Sequence, residues 1–417
     1  MNLLTFLLLL TSPLSPQEPA PAPTQPQEPA APVPSAPAAG QDEDSDFAGF
    51  TYQSEDGSFR LAFKGKLDND WAFFSADPDL VGSPDDFRNG TEFRRVRIGL
   101  AARLHDWLKV KATFDFSDGE SGFRDIYMEP RNVGGLDTLR FGHFKEPFGL
   151  ENLTGSAATT FMERGLPTVL APGRNMGVMV RDRFLGQSAT WAVGVFRETE
   201  SSGLGTDSGS GQELAVTARV TGLPWYEDKG SRLAHIGLSY SLRNPDNGQV
   251  RFREQPESHL APNLADTGYF LADSVQLGML EAAVVLGPWS LQSEVGHAAV
   301  ATPTGTDPGF SAYTVQGSWF VTGEHRDYDR GTGSFDSIGP SSPYLGGDGS
   351  GAWELAVRYS QLDLNDSGIP GRELRDLGFG VNWYLDANTR FQLNYVITDV
   401  ESFGNARILQ FRFHVDW

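Results

Sequence analysis

The C-terminal stretch NARILQFRFHVDW, residues 405–417, decides the fold. Apolar and polar side chains alternate along it: Leu409, Phe411, Phe413, Val415 and Trp417 are apolar, and Gln410, Arg412, His414 and Asp416 are polar. Successive side chains of a β-strand point to opposite faces of the sheet. The stretch therefore predicts a strand with one apolar face and one charged face.

The same alternation recurs throughout the chain from residue 59 onward. The sixteen predicted strands are 59–73, 92–104, 107–116, 122–130, 137–144, 174–182, 187–197, 211–221, 232–243, 274–286, 288–300, 309–321, 351–361, 373–385, 388–400 and 405–417. Many reach the roughly 9 to 11 residues that a tilted strand needs to cross a bilayer, whereas strands of soluble sandwiches average about 5 to 6. Single-chain bacterial barrels have an even number of strands. We therefore expect an all-β fold, a 16-stranded antiparallel transmembrane β-barrel with an infolded outer loop and a disordered N-terminal arm.

The connections between the predicted strands alternate in length. Short turns at residues 105–106, 287–288 and 386–388 are typical of the periplasmic side, and the long segments 74–91, 145–173 and 244–273 then become outer loops. Residues 323–350 break this rule, because they are long yet fall on the periplasmic side. Their length suggests a further hairpin.

The amino-acid composition differs between the N-terminal segment and the predicted barrel. Only 39% of residues are hydrophobic and the mean hydropathy is -0.33, which is too polar for a bundle of membrane helices. The run Leu3–Leu10 is shorter than a spanning helix and predicts a signal peptide over residues 1–15. Residues 16–57 are rich in Pro and Ala, then acidic, and predict a periplasmic linker. The outer-membrane barrel domain follows over residues 58–417.

Charge and motif content exclude several classes of function. A net charge of -21 and the absence of cysteine argue against nucleic-acid binding and against thiolate metal sites. The seven histidines are scattered, and no HExxH, GxSxG or phosphate-loop pattern occurs. The glycine-rich segment 346–351 lacks the ligand spacing of a calcium loop and indicates a turn. We expect no catalytic residue, no metal and no cofactor.

The polar face of the first three predicted strands carries an excess of positive charge. Three acidic residues, Asp68, Asp70 and Asp115, face eight bases: Arg60, Lys64, Lys66, Arg95, Arg97, Arg103, Lys109 and Lys111. One interpretation is that these bases only balance acids elsewhere in a polar lumen. The other is that this wall concentrates small anions.

The outer loop 145–173 is too apolar for a solvated surface loop. Its apolar members are Pro147, Phe148, Leu150, Leu153, Phe161, Met162, Leu166 and Leu170. Such a segment should fold into the barrel. It would then bring Lys145, Arg164 and Arg174 to the narrowest part of the pore.

Seven segments, in order across residues 59–417, resemble the phosphate-selective porin O and P family. They are EFRRVRIGL, RFGHFKEPFGLENLT, FMERGLP, APGRNMGVM, FVTGEHRDYDRGTGSF, GAWELAVRYSQLDLN and LGFGVNWYLDANTRFQLNYV. The resemblance implies a trimeric sixteen-stranded porin with an infolded third outer loop, a constriction lined by Arg and Lys, and a basic ladder leading inward.

By this resemblance the constriction includes Arg94, Arg95, Asp125, Ser156 and Arg164, and the ladder includes Arg251 and Arg253. Strand parity places Arg95 inward but Arg94 outward, so both can face the lumen only if a bulge or the strand end reorients one. Two positions depart from the family pattern. Asn152 stands where phosphate-specific members have lysine, and Gln255 stands at the next ladder position, which weakens the case for tight phosphate binding.

The predicted function is passive diffusion of small anions, with phosphate as one candidate, across the bacterial outer membrane. The expected partners are these anions, outer-membrane lipid and two further copies of the chain in a homotrimer, with the N-terminal arm in the periplasm and able to contact the cell wall. The alternatives are a general or weakly selective porin, a plugged structural barrel tethered by its arm, and a soluble carbohydrate-binding β-protein.

Overall fold

The alternating pattern produces the predicted strands. The computed structural model describes residues 45–47, 49–82, 86–117, 119, 121–199, 203 and 214–417. Within these residues the barrel strands are β1 (Phe59–Ala76), β2 (Gly90–Leu104), β3 (Leu108–Asp115), β4 (Gly122–Val133), β5 (Leu136–Lys145), β6 (Arg174–Phe184), β7 (Ala189–Arg197), β8 (Leu214–Glu227), β9 (Arg232–Arg243), β10 (Ser274–Leu286), β11 (Trp289–Ala301), β12 (Gly309–Phe320), β13 (Ala352–Asp366), β14 (Ile369–Tyr384), β15 (Thr389–Val400) and β16 (Gly404–Asp416). Each predicted strand is present, and the boundaries differ by a few residues.

Every barrel strand pairs antiparallel with the strands before and after it in the chain, and β1 pairs with β16. The closing pair runs from Lys66 opposite Asp416 to Ala76 opposite Ala406. Closure leaves no open edge, and an open edge in hydrocarbon would carry unpaired backbone groups costing several kcal/mol each. The sixteen-stranded prediction is confirmed.

The two faces of the strands divide as the alternation predicts. Apolar side chains such as Ile98, Val295 and Phe411 point outward and are well exposed. Stacked tryptophans on neighbouring strands, Trp289 with Trp319 and Trp353 with Trp383, lie near the periplasmic strand ends, where aromatic residues are typical of the membrane interface. Polar side chains face the lumen. None of the helices in the described part of the chain has the length and apolarity that spanning a membrane requires.

The long connections contain the remaining elements. The inner loop, which we define as residues 146–173, contains helix α1 (Leu150–Leu153) and a 3-10 turn at Leu166–Leu170. The outer loop 244–273 contains a 3-10 turn at Asp246–Gly248 and two short strand pairs, Gln249–Val250 with Phe270–Leu271 and Arg253–Glu254 with Ala265–Asp266. Further 3-10 turns lie at Pro78–Leu80 and Asp228–Gly230.

The long periplasmic connection between β12 and β13 contains the hairpin that its length suggested. Asp327–Asp329 pairs with Ser334–Asp336, and we call this the periplasmic hairpin. It is not part of the barrel wall. Its tip lies in the lumen, because Arg219 of β8 donates to the carbonyls of Thr332 and Gly333. The hairpin therefore fills the lumen on the side of β8 and β9.

Residues 45–47 and 49–53, predicted as part of the linker, fold against the barrel. Phe50–Gln53 forms a strand paired with residues 60–63 of β1, where β16 no longer reaches. Ser45–Phe47 forms a 3-10 turn that we call the N-terminal turn. The predicted signal peptide, residues 1–15, and residues 16–44 of the predicted linker lie outside the described residues.

The fold predicts opposite effects for arginine on the two faces. Val295 is the middle residue of β11 and is 50% exposed on the outward face, so Val295→Arg places a charge near the bilayer midplane. We expect a loss of about 2–4 kcal/mol in the free energy of unfolding, measured by urea titration in lipid vesicles. The control, Thr113→Arg, adds the same charge to the lumenal face of β3 and should change the stability little. Equal losses in both variants would contradict the assignment of faces.

Candidate anion pathway in the lumen

The inner loop is held inside the barrel by a carboxylate of the opposite wall. Both oxygens of Glu294 on β11 accept backbone N–H groups at the start of α1: Oε1 accepts from Leu150 at 2.6 Å and Oε2 from Glu151 at 3.1 Å. Two hydrogen bonds from adjacent backbone groups fix the position of this turn relative to β11. The apolar side chains Phe148, Leu166 and Leu170 pack into the main hydrophobic cluster. The predicted infolding of this loop is what the structure shows.

Three arginines of the last strands hold the rest of the inner loop through its carbonyl groups. Arg358 of β13 donates to the carbonyl of Glu163, and Arg412 of β16 donates to that of Met162. Arg390 of β15 donates to the carbonyls of Thr159 and Ser156. All three side chains are buried. They therefore position the loop and are not available to a passing solute.

Arg94 and Arg95 both face the lumen because β2 contains a bulge. Asp68 of β1 lies opposite Arg95 and Asn69 lies opposite Phe93, so Arg94 is the inserted residue. Arg94 donates two hydrogen bonds of 3.0 Å to Glu163, and Arg95 forms a 2.7 Å ion pair with Asp68. Burial alone raises the pKa of Glu163, but the guanidinium groups of Arg94, Arg412 and Arg95 hold it well below its usual range. Both arginines are thus neutralised by acids.

Lys145 and Arg164 contact backbone carbonyls instead of acids. Among the described residues, no carboxylate lies within 4.0 Å of either side chain. Lys145 donates to the carbonyl of Asn152, and Arg164 donates to the carbonyls of Glu151 and Thr154. Burial, with the nearby positive charges of Arg95 and Arg174, lowers the pKa of Arg164 to about 10.

The other predicted constriction residues surround these two cations. Arg174 lies directly opposite Lys145 in the β5–β6 register and pairs with Asp125 at 2.9 Å. Asp115 accepts from both Arg97, at 2.7 Å, and Arg124, at 3.0 Å. Ser156 accepts a hydrogen bond from Lys66 across the lumen. The structure thus brings together the predicted set, which consists of Arg94, Arg95, Arg97, Asp125, Lys145, Ser156, Arg164 and Arg174.

Six of the predicted wall residues lie on the inward face of β1–β3: Arg60, Lys64, Lys66, Arg103, Lys109 and Lys111. Arg251 and Arg253 do not belong to this wall. They lie in the outer loop 244–273, where Arg251 pairs with Asp266 and Arg253 is exposed. The family resemblance suggested both residues for the ladder, but this part of the loop forms short strand pairs outside the barrel sheet.

The elements that enter the lumen cover one side of it. The inward residues of the later strands are covered, as shown by Arg358 and Arg412, whose side chains are each 1% exposed. Along β1–β6 several inward cations stay in contact with solvent, with Arg124 32%, Lys111 21% and Arg174 20% exposed, whereas Arg95 and Lys109 are buried. The solvent path therefore runs along the basic wall.

Sequence reasoning did not assign Arg124, Arg358, Arg390 or Glu163 to the site. Arg358 and Arg390 occupy inward positions of regular alternation, so strand parity was a usable signal for them. No pattern marked Glu163, which lies in an irregular loop. Within the described residues, no group of three or more His, Cys, Asp or Glu side chains is placed to hold a metal ion.

The closed barrel, its infolded loop and its basic lumen define the class of protein: a bacterial outer-membrane porin. The family model for phosphate-selective porin O and P matches residues 62–414. The chain belongs to this family, as its sequence segments indicated, and is a channel for small anions.

Known proteins agree with this assignment. Porin O of Pseudomonas aeruginosa is 25% identical over 399 residues, which cover 86% of this chain and 87% of that protein. An anion-selective porin from Comamonas acidovorans has a TM-score of 0.54 at 13% identity, covering 86% of this chain and all of that one. The trimer form of OmpT from Vibrio cholerae has a TM-score of 0.53 at 13% identity, with the same coverage. At such identities the two structures support the fold alone.

The carboxylate of Glu294 should control how firmly the inner loop is held. We expect Glu294→Ala to increase amide hydrogen exchange in residues 149–154 by about tenfold, because two hydrogen bonds are lost and each contributes roughly 0.5–1.5 kcal/mol. Glu227→Ala, which removes an exposed carboxylate from the β8–β9 rim, is the matched control. Unchanged exchange in Glu294→Ala would show that other contacts hold the loop.

Proposed function

We propose that small anions, phosphate among them, diffuse along the basic wall and are drawn through the constriction by Lys145 and Arg164. The observation that supports this is the partnering of these two cations, which contact backbone carbonyls and, in the described part of the chain, no carboxylate within ion-pair distance. A carbonyl orients a cation without cancelling its charge. An anion that enters the constriction therefore meets two donors that no acid of the described residues already holds.

The surrounding ion pairs suit a path that binds anions and also releases them. Asp115 holds the guanidinium groups of Arg97 and Arg124, and Asp125 holds that of Arg174. Each acid fixes a donor in place and offsets part of its attraction for an anion. Conduction needs binding that is favourable at entry and weak enough for exit, and a series of partly compensated cations meets that need.

Selectivity for phosphate over other anions should be modest. The side-chain amide of Asn152 donates to the carbonyls of Phe148 and Pro172, and that of Gln255 donates to the carbonyls of His259 and Ala261. Both amides are therefore used in packing loops, and neither supplies the charge that a lysine would bring to phosphate. We propose a general small-anion preference.

Removing the charge of Lys145 or of Arg164 should weaken anion selectivity. We expect Lys145→Gln and Arg164→Gln each to lower the chloride-to-potassium permeability ratio by about three- to tenfold, since one unit charge at about 4 Å contributes roughly 1 kcal/mol even in water. Reversal potentials of single channels in a salt gradient measure this ratio. Arg253→Gln is the matched control, because it removes an exposed cation of the outer loop.

The same recordings separate the alternatives. A wild-type ratio near one, unchanged in both variants, would identify a general porin and overturn the proposal. A folded barrel with no conductance would identify a plugged structural protein. Blocking of the chloride current by phosphate, weakened in Lys145→Gln and Arg164→Gln but kept in Arg253→Gln, would support phosphate as a solute of this path.

We also propose that the porin assembles as a homotrimer, as the trimer form of OmpT does, with its outward apolar face shared between lipid and neighbouring copies. Detergent-resistant assemblies are expected to migrate in unheated electrophoresis at about three times the 45.5 kDa chain mass and to collapse to that mass on heating. A monomer band in both lanes, from protein extracted in mild detergent, would contradict this.

A further inference from the structure

The N-terminal turn occupies the part of the basic wall nearest the periplasm. The carboxylate of Asp46 forms ion pairs with both Lys109 and Lys111 of β3, the second at 2.6 Å. Arg60 of β1 donates to the carbonyl of Phe47 at 3.0 Å. A short acidic segment of the chain thus lies among the cations that the sequence singled out as attractive to anions.

The wall is shaped to receive the Phe47 ring. Ala62 of β1 and Ala101 of β2 lie opposite each other in the strand register, and the ring, 2% exposed, packs on both. The guanidinium groups of Arg60 and Arg103 lie 5.3 and 4.6 Å from the ring centroid. Two small residues flanked by cations form a seat for an aromatic ring, whose π face attracts positive charge.

The charge of the wall explains why an acid is held there. Arg60 lies opposite Arg103, and Arg103 lies opposite Lys109, so three cations stand in a row across neighbouring strands. Like charges that face each other across a sheet repel. Although burial alone raises the pKa of Asp46, Lys111 and Lys109 hold it far below its usual range, so the carboxylate is ionised at neutral pH.

Ions that travel along the wall must use the same cations. Lys111 also lies 3.8 Å from Asp125, which pairs with Arg174 beside Lys145. The seat of Asp46 is therefore continuous with the constriction. In the sequence, the residues just before Asp46 include Asp42, Glu43 and Asp44, and residues 1–58 contain no Lys or Arg.

From this placement we propose that the N-terminal turn is an internal plug: Asp46 competes with incoming anions for Lys109 and Lys111, and Phe47 keeps it seated at the periplasmic end of the path. The inference rests on the proposed anion path and adds a control on it. While the turn is seated, the wall has a lower effective positive charge. When the turn leaves, the wall gains two ammonium groups that attract anions.

The test compares two variants of the full-length porin that remove the same charge. Asp46→Asn removes it from the seat, and Asp56→Asn removes it from the exposed turn before β1, where Asp56 accepts from Ser54 and Ser58. We expect Asp46→Asn to raise single-channel chloride conductance in dilute salt by about twofold or more and to shift the reversal potential toward anions, an effect that concentrated salt should screen. Asp56→Asn should match the wild type.

Each other outcome overturns the plug. An unchanged conductance in Asp46→Asn, or an equal rise in both variants, would show that the turn does not compete for the wall. Should Asp46→Asn fail to assemble, Phe47→Ala removes the ring and keeps the charge, and it should give the same rise. If the wild type prefers cations, the proposed anion path fails; if it prefers anions and neither variant changes it, only the plug fails.

Discussion

The structure depends on the pairing of β1 with β16. In hydrocarbon every backbone N–H and C=O must find a partner within the protein, and a sheet meets this demand only by closing on itself. Because alternate side chains of each strand point outward and inward, the closed sheet exposes one set to lipid and the other set to water. The same rule that makes Val295 face the membrane makes Glu294 and Arg358 face the lumen.

The charged and polar side chains that line the lumen position other parts of the chain by forming hydrogen bonds with them. On one side of the barrel the partners are the loops. Glu294 caps the start of α1, Arg412 and Arg358 bind loop carbonyls, and Arg219 binds the tip of the periplasmic hairpin. On the other side Lys111, Arg124 and Arg174 keep contact with water. The asymmetry of the pore follows from this division.

Alternation was enough to predict the sixteen strands and the inward direction of Lys109, Lys111 and Arg97, because period two is a property of each strand by itself. It failed where the chain departs from a regular strand. Arg94 required a bulge whose position depends on pairing with β1. Arg251 was suggested by the family resemblance and not by alternation, and it lies in an outer loop. The apolar content of residues 145–173 predicted infolding, yet its anchors come from strands more than a hundred residues away.

The composition of the N-terminal turn does not reveal its ion-pair partners. An acidic run after a Pro-rich segment indicates a solvated linker, because no local partner compensates its charge. Its partners are Lys109 and Lys111, which lie more than sixty residues further along the chain and become a cluster only when β1–β3 assemble. The excess of eight bases over three acids on those strands and the excess of acids before residue 58 are therefore related. Taken separately, these two excesses suggest an anion path and an inert N-terminal arm. Taken together, they suggest an anion path in which an acid of the same chain competes with the anions.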